Sequence, residues 1–299
     1  MTVSERQDEL RAAVERLRAQ QAARDPEDGT LASALWSRLR REGEEAHSNA
    51  PQLGTLFLDS ILNWGSFEEA FFRRVAVRLE NHVVGLPALL DAFERAVRND
   101  PSIARAALAD VVAVVERDPA CERLIEPILY FKGFHAIQTH RLAHWLWGRG
   151  ERDFALYLQS RSSEVFQTDI HPAAPFGAGI FLDHATGLVV GETAVVDDDV
   201  SLLQNVTLGG TGKQAHDRHP KVRRDVIIGA GAKILGNIEI GAGARVAAGA
   251  VVLQSVPPGA TVAGIPAKIV KASAPEPQRG ERIDEVLASL AYVSFDYSI

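Results

Sequence analysis

A six-residue period governs the second half of the chain. Apolar residues stand at Ile170, Phe176 and Leu182, then at Val190, Val196 and Leu202, and again at Ile228, Ile234, Ile240, Val246 and Val252. Four residues after most of them comes another small or branched apolar residue, as at Ile180, Ala194, Val200, Ala232 and Ala244. Glycine often follows the aliphatic position directly, as in Val190-Gly191 and Ile228-Gly229. On an α-helix a six-residue step rotates the face by about 240°, so no helix keeps this set on one side. Glycine recurs too often for a long flat strand. A triangular coil satisfies both constraints, with each hexad forming one side and its aliphatic residue pointing inward. Three hexads close a coil of about 18 residues, and stacked coils bury a continuous apolar column. The expected fold class is therefore α+β, with a left-handed parallel β-helix of hexapeptide repeats over residues 167–271.

The preceding part, residues 31–166, has a different grammar. Phe71, Phe72, Val75 and Leu79, or Leu142, Leu146 and Trp147, recur at helical spacing, which predicts an all-α N-terminal domain. Asp100-Pro101 and Asp118-Pro119 each read as a capping carboxylate ahead of a helix-starting proline. Residues 1–30 form a charged extension and residues 272–299 a tail that begins as a proline-rich linker.

Composition narrows the function classes. A formal charge of −7 argues against a general binder of nucleic acid or anionic membrane. The lone cysteine, Cys121, permits no internal disulfide and suggests no metal cluster, which fits a reducing cytoplasm. The first residues lack a signal peptide's apolar core, and no run of about 18 apolar residues occurs anywhere.

Two irregularities in the repeat mark the candidate chemistry. The spacing from Leu182 to Val190 is eight, and the bulge contains Asp183 and His184; between Thr207 and Asp225 the period vanishes into a loop running from Gly209 to Lys221. Solenoids eject such insertions on their binding face. Asp169 precedes His184 by 15 positions, near one coil, so an Asp–His pair on adjacent layers can form and would make a suitable base at neutral pH. Lys213, Arg218, Lys221, Arg223 and Arg224 give the loop a cationic character suited to an anionic ligand, and Gly209 to Gly212 allow close backbone approach. The plainer readings are a solvent-facing corner for His184, structural roles for His135 and His144, a turn for His171, a helix cap for Asp118 and a solvated insertion for the loop.

Asp169-Ile170-His171-Pro172, Asp183-His184-Ala185-Thr186-Gly187, Gly209-Gly210-Thr211-Gly212-Lys213 and Asp217-Arg218-His219-Pro220-Lys221 resemble the motifs of the serine O-acetyltransferases. The likeness runs from about Trp36 to Lys268 and includes Phe131-Lys132-Gly133-Phe134-His135-Ala136. It implies acetyl-CoA as co-substrate, no metal, and L-serine as acceptor. His184 would be the general base oriented by Asp169, and His219, paired with Glu192, a second catalytic or substrate-binding imidazole. Arg218 would hold the serine carboxylate, and Asp183 and Asp118 its ammonium. Acetyl-CoA would contact Gly210, Thr211, Ala230 and Ala248, with Lys268 near its phosphates. The resemblance further implies a homo-oligomer (a trimer or dimer of trimers), feedback inhibition by L-cysteine, and capture of the terminal Ile299 by O-acetylserine sulfhydrylase. His216 and Arg245 depart from the usual pattern. Transfer to homoserine or a sugar, and a zinc lyase of the carbonic-anhydrase kind using His184, His216 and His219, are the competing readings.

Overall fold

The computed structural model describes residues 5, 7–9, 11–12, 30–213 and 215–272. The described positions before residue 13 are helical. The tail and Ile299 lie outside the described residues.

The helical part opens with α1 (Thr30–Asn49), passes through short turns at Pro51–Leu53, Gly54–Phe57 and Leu58–Leu62, and continues as α2 (Phe67–Leu79) and α3 (Leu86–Asn99). It is completed by α4 (Ser102–Arg117), the short α5 (Ile125–Leu129), α6 (Lys132–Gly148) and α7 (Arg152–Phe166). The start of α2 follows from its sequence: Ser66 Oγ accepts the Glu69 N–H, and Glu69 reaches back to the Gly65 N–H. Phe67, Phe71, Val75 and Leu79 of α2 are buried, as the helical spacing requires.

Asp100 behaves near the start of α4 as its sequence suggests, with Oδ1 accepting the Ser102 N–H at 3.0 Å. Asp118-Pro119 does not start a helix. Asp118 instead ends α4, its carboxylate folds onto the Ala120 N–H at 2.8 Å, and the next helix begins only at Ile125. The same short side chain satisfies a turn as readily as a helix start.

The centre of the helical part is α6, which is buried from Gly133 through Ala143 and carries polar groups inside. His135 Nε2 donates to the Ile128 carbonyl at 2.7 Å and His140 Nε2 to the Ala174 carbonyl at 2.9 Å, and burial pushes each imidazole down to about 3. Both rings are therefore neutral. Asp110 of α4 is fully buried and accepts from Arg141 Nε and Nη2 and from Gln138 Nε2. The same cluster reaches the β region: Asp110 Oδ1 accepts the Ile180 N–H at 2.8 Å, and Arg141 Nη2 donates to the Gly177 carbonyl at 2.8 Å. Arg117 adds a second tie, to the Gly179 carbonyl and Asp199.

From β1 (Thr168–Ile170) onward the chain visits three sheets in rotation. The first contains β1, β3 (Leu188–Val190), β6 (Thr207–Gly209), β9 (Lys233–Leu235) and β12 (Val251–Val252). The second contains β4 (Val195–Val196), β7 (Lys221–Val222) and β10 (Glu239–Ile240). The third contains β2 (Phe181–Leu182), β5 (Ser201–Leu202), β8 (Ile227–Ile228), β11 (Arg245–Val246) and β13 (Thr261–Ala263), with β14 (Lys268–Lys271) closing it antiparallel. All other pairs are parallel, as expected of stacked coils.

Register explains the column. Ile170 aligns with Val190, Val190 with Leu208, Leu208 with Ile234 and Ile234 with Val252, and all five are buried. The eight-residue spacing becomes a coil of twenty residues, Ile170 to Val190, and the ejected loop a coil of twenty-six, Leu208 to Ile234. Both excursions leave the inward face intact.

Candidate active site

The first sheet is flanked by two edges, and the candidate residues divide between them. At the edge shared with the third sheet, the extra two residues form a tight corner after β2. His184 and Ala185 both take left-handed backbone, φ 52° and 59°, unusual for residues with a Cβ. The corner closes through Ala185 N–H to the Asp183 carbonyl and Thr186 N–H to the His184 carbonyl. This backbone pushes the His184 ring outward, where it is 74% exposed with Nε2 3.7 Å from Asp183 Oδ1.

Beside the corner lies a cleft of about 580 Å³, lined by Asp118, Tyr130, Lys132, Asp183, His184 and Thr186 among others. Its far wall is the start of α6. Gly133 sits so close to β2 that a Cβ there would run into the Leu182 carbonyl. Burial raises the pKa of Asp118, opposed by the Ala120 N–H and the charge of His184. Burial likewise raises Asp183, with His184 opposing and Asp118 adding to the rise. Two half-buried carboxylates facing one cleft are poised to accept a cationic group, which relieves the cost of their charge. The predicted cofactor residues Ala230 and Ala248 lie down the same edge. Asn205 N–H donates to the Thr186 carbonyl, Gly231 N–H to Gln204 and Gly249 N–H to Ala230, so successive corners stack in one ridge. Lys268, paired with Ala263, stands exposed at its end.

At the edge shared with the second sheet, the ejected loop folds back against Glu192 and Thr193. His219 is buried, and its Nδ1 accepts the Thr193 N–H at 3.1 Å, which leaves the ring proton on Nε2. That Nε2 rests over Gly191, in the space a side chain there would fill. Burial lowers the pKa of His219, and Arg218 lowers it further. The expected partner of His219, Glu192, bonds instead to Arg218 Nη2 at 2.7 Å; Thr193 holds the imidazole. Arg218 also donates to the carbonyls of Ala215 and His216 and so braces its own loop. Lys221 pairs with Asp217, and Arg223 with Glu239 and Asp197, so much of the loop's positive charge is neutralised internally. Gly210 packs beside Arg218, and Thr211 beside Gly236, on this edge. Arg245 braces its own corner by donating to the carbonyls of Asp225 and Gly243.

Asp169 does not meet His184 within the chain. The register sets Val189 beside Asp169, and Gln159 Nε2 donates to the carboxylate at 2.6 Å. The inserted pair of residues carries His184 out to the corner, while Asp169 stays on the sheet. His171, read from sequence as a turn residue, does make a turn, but its ring is held by the Ala173 N–H and the edge of Trp147. It feels the charges of Glu192, Asp169 and Arg218, although burial dominates and lowers its pKa. Its position beside proline gave no hint of this neighbourhood. Lys132 stood in the sequence only as part of the Phe131-to-Ala136 motif, with no role attached to it.

A parallel triangular coil under a helical cap, with an imidazole on a sheet edge facing two carboxylates, defines a hexapeptide-repeat acyltransferase. Residues 35–139 match the family model of the serine acetyltransferase N-terminal domain, and residues 219–254 match that of the bacterial transferase hexapeptide (six repeats). The serine acetyltransferase of Salmonella typhimurium is 50% identical over 236 residues, covering 79% of this chain and 86% of that protein. The structure of serine acetyltransferase from Brucella abortus in complex with coenzyme A is 56% identical, with a TM-score of 0.80 over 81% of this chain and 96% of that one. A serine acetyltransferase structure in complex with cysteine is 50% identical, with a TM-score of 0.78 over 80% of this chain and 99% of that one. The chain belongs to the serine acetyltransferase family. Among the described residues, no helix is long and apolar enough to cross a membrane.

Proposed function

We infer that this protein transfers the acetyl group of acetyl-CoA to the hydroxyl of L-serine, giving O-acetylserine, the first step of cysteine biosynthesis. The observation that carries the reading is the cleft at the His184 corner, where an exposed imidazole faces the carboxylates of Asp118 and Asp183. In this reading the carboxylates hold the serine ammonium. His184 removes the proton from a hydroxyl that is scarcely ionised at neutral pH, the oxygen attacks the thioester carbonyl, the C–S bond breaks, and the departing CoA thiolate takes the proton back from His184. Holding the two substrates together removes encounter entropy before the chemical step. Acetyl-CoA runs down the ridge past Ala230 and Ala248, with Lys268 near its phosphates, and meets Gly210 and Thr211 from the other edge.

Glu192, Arg218 and His219 stand on the opposite side of the first sheet from the His184 corner, and Asp169 stays on the strand between. The reading therefore requires a homo-oligomer, a trimer or dimer of trimers, in which one copy's loop edge faces another's cleft. His219, with Arg218 taking the serine carboxylate, would then act across the interface, and Asp169 would orient His184 there. One of the related structures is a complex with cysteine, and L-cysteine fits as feedback inhibitor of the same cleft here. Ile299 is assigned to the sulfhydrylase active site, and the protein to the cytoplasm.

The test follows thiol release from acetyl-CoA with L-serine, L-homoserine or no acceptor, in wild type and His184→Ala. Serine-dependent release, reduced about 100-fold or more by the substitution, is expected. Release that ignores serine, or survives intact in His184→Ala, contradicts the mechanism.

A further inference from the structure

We propose that Lys132 positions the general base, by pinning the strained corner that carries His184 to the first turn of α6. The inference rests on the acetyl-transfer reading and adds a residue to it. His184 and Ala185 are consecutive left-handed residues, a conformation that persists only when the surroundings over-determine it. Two of the backbone bonds that close the corner span only two residues, a poor geometry for holding it alone, and a third runs from the Leu188 N–H to the Ala185 carbonyl at 3.1 Å. Neighbouring coils secure its far end, through Gly187 N–H to the Gln167 carbonyl and Asn205 N–H to the Thr186 carbonyl.

On the cleft side the restraint comes from a side chain. Lys132 Nζ donates to Thr186 Oγ1 at 2.5 Å and to Gln167 Oε1 at 3.4 Å, bridging the corner and the residue that ends α7 just before β1. Lys132 is also the first residue of α6, and Gly133 beside it is packed flush on Leu182, so its backbone is a fixed anchor. A lysine present only for solubility would extend its ammonium into water. This one is drawn across the cleft wall to two neutral oxygens, and partial burial lowers its pKa. Lys132 thus acts through Thr186 on the angle at which the His184 ring enters the cleft. A displacement of about 1 Å at such a ring costs on the order of 100-fold in rate.

The experiment compares full-length wild type with Lys132→Met, Lys132→Arg, Thr186→Val and the Lys132→Met/Thr186→Val pair. Steady-state thiol release gives kcat and KM, and mass-spectrometric amide exchange covers residues 183–188. Lys132→Met is expected to lower kcat roughly 10- to 100-fold with KM for acetyl-CoA within about twofold. Exchange across the corner should rise at least about 10-fold, with an unchanged circular-dichroism spectrum. Lys132→Arg should recover part of kcat, and the double variant should be no worse than Lys132→Met alone. A kcat within about twofold of wild type, a loss confined to KM, multiplicative effects in the pair, or unchanged exchange would each overturn the proposal. If wild type itself fails to acetylate serine, the functional reading falls, and the exchange data alone then decide whether Lys132 pins the corner.

Discussion

Replacing Asp110 by alanine tests the joint between the helices and the coil. Asp110 is fully buried and accepts from Arg141, from Gln138 Nε2 and from the Ile180 N–H of the first coil. Burial raises its pKa, while Arg141 and the other donors stabilise its charge. Alanine would strand the Arg141 guanidinium, itself only 7% exposed, without a counter-charge. Removing one partner of a buried pair costs about 3–5 kcal/mol, because the survivor keeps its desolvation penalty. In a chain of this size 1 kcal/mol corresponds to roughly 2–4 °C, so the melting temperature of Asp110→Ala should fall by about 6–20 °C. Calorimetry on the full chain gives the value directly. The double variant Asp110→Leu/Arg141→Met, which removes both charges, should recover more than half of the loss. A melting temperature within about 3 °C of wild type for Asp110→Ala, or a double variant as unstable as the single, would show that the pair does not hold the joint.

Two further outcomes follow from buried rings. Gly191→Ala places a methyl group where His219 Nε2 rests, so the imidazole must leave its bonds to Thr193; kcat/KM for serine should fall about 10- to 100-fold, and unchanged kinetics would remove His219 from the site. His135 and His140 titrate near 3 in the fold against 6.5 for an ordinary imidazole, so between those values the unfolded chain binds two protons that the folded one refuses. The contribution of these two rings to stability rises with pH across that window, and a shift from pH 7.5 to 5.5 should remove about 2–3 kcal/mol of it, read as the difference in urea unfolding between wild type and the His135→Gln/His140→Gln variant. A difference that stays level or moves in favour of wild type at pH 5.5 contradicts the neutral-ring assignment.

The repeat made the coil legible because each hexad's aliphatic residue serves one purpose, and the structure sets Phe176 beside Val196 in the second sheet; Ile240 meets Val256, two residues before the position the period predicts. Polar placement was less readable. In α6 the buried His135, Gln138, His140 and Arg141 interrupt the apolar stripe, and nothing in spacing reveals that α4, α5 and the first coil supply their partners. Within the chain, two inserted residues keep Asp169 and His184 apart, moving the ring to a corner without disturbing the strands on either side. The cationic loop was visible as composition, whereas the acids that quench it, Glu192 and Glu239, lie far away in sequence. Lys132, visible as a motif residue, drew no role because a single lysine at a helix start is ordinarily solvated.

The unequal coils have a consequence for how such a protein can diverge. Leu208 and Ile234 stay aligned although twenty-six residues separate them, as faithfully as Ile234 and Val252 with eighteen. Alignment is counted in sides of the prism, and residues ejected at a vertex are invisible to it. The vertex after Gly209 can therefore lengthen, shorten or exchange its contents over evolutionary time while the scaffold below is untouched. Length can drift there at little structural risk, whereas a single residue inserted within β8 or β9 would turn the rest of that strand's inward side chains toward solvent.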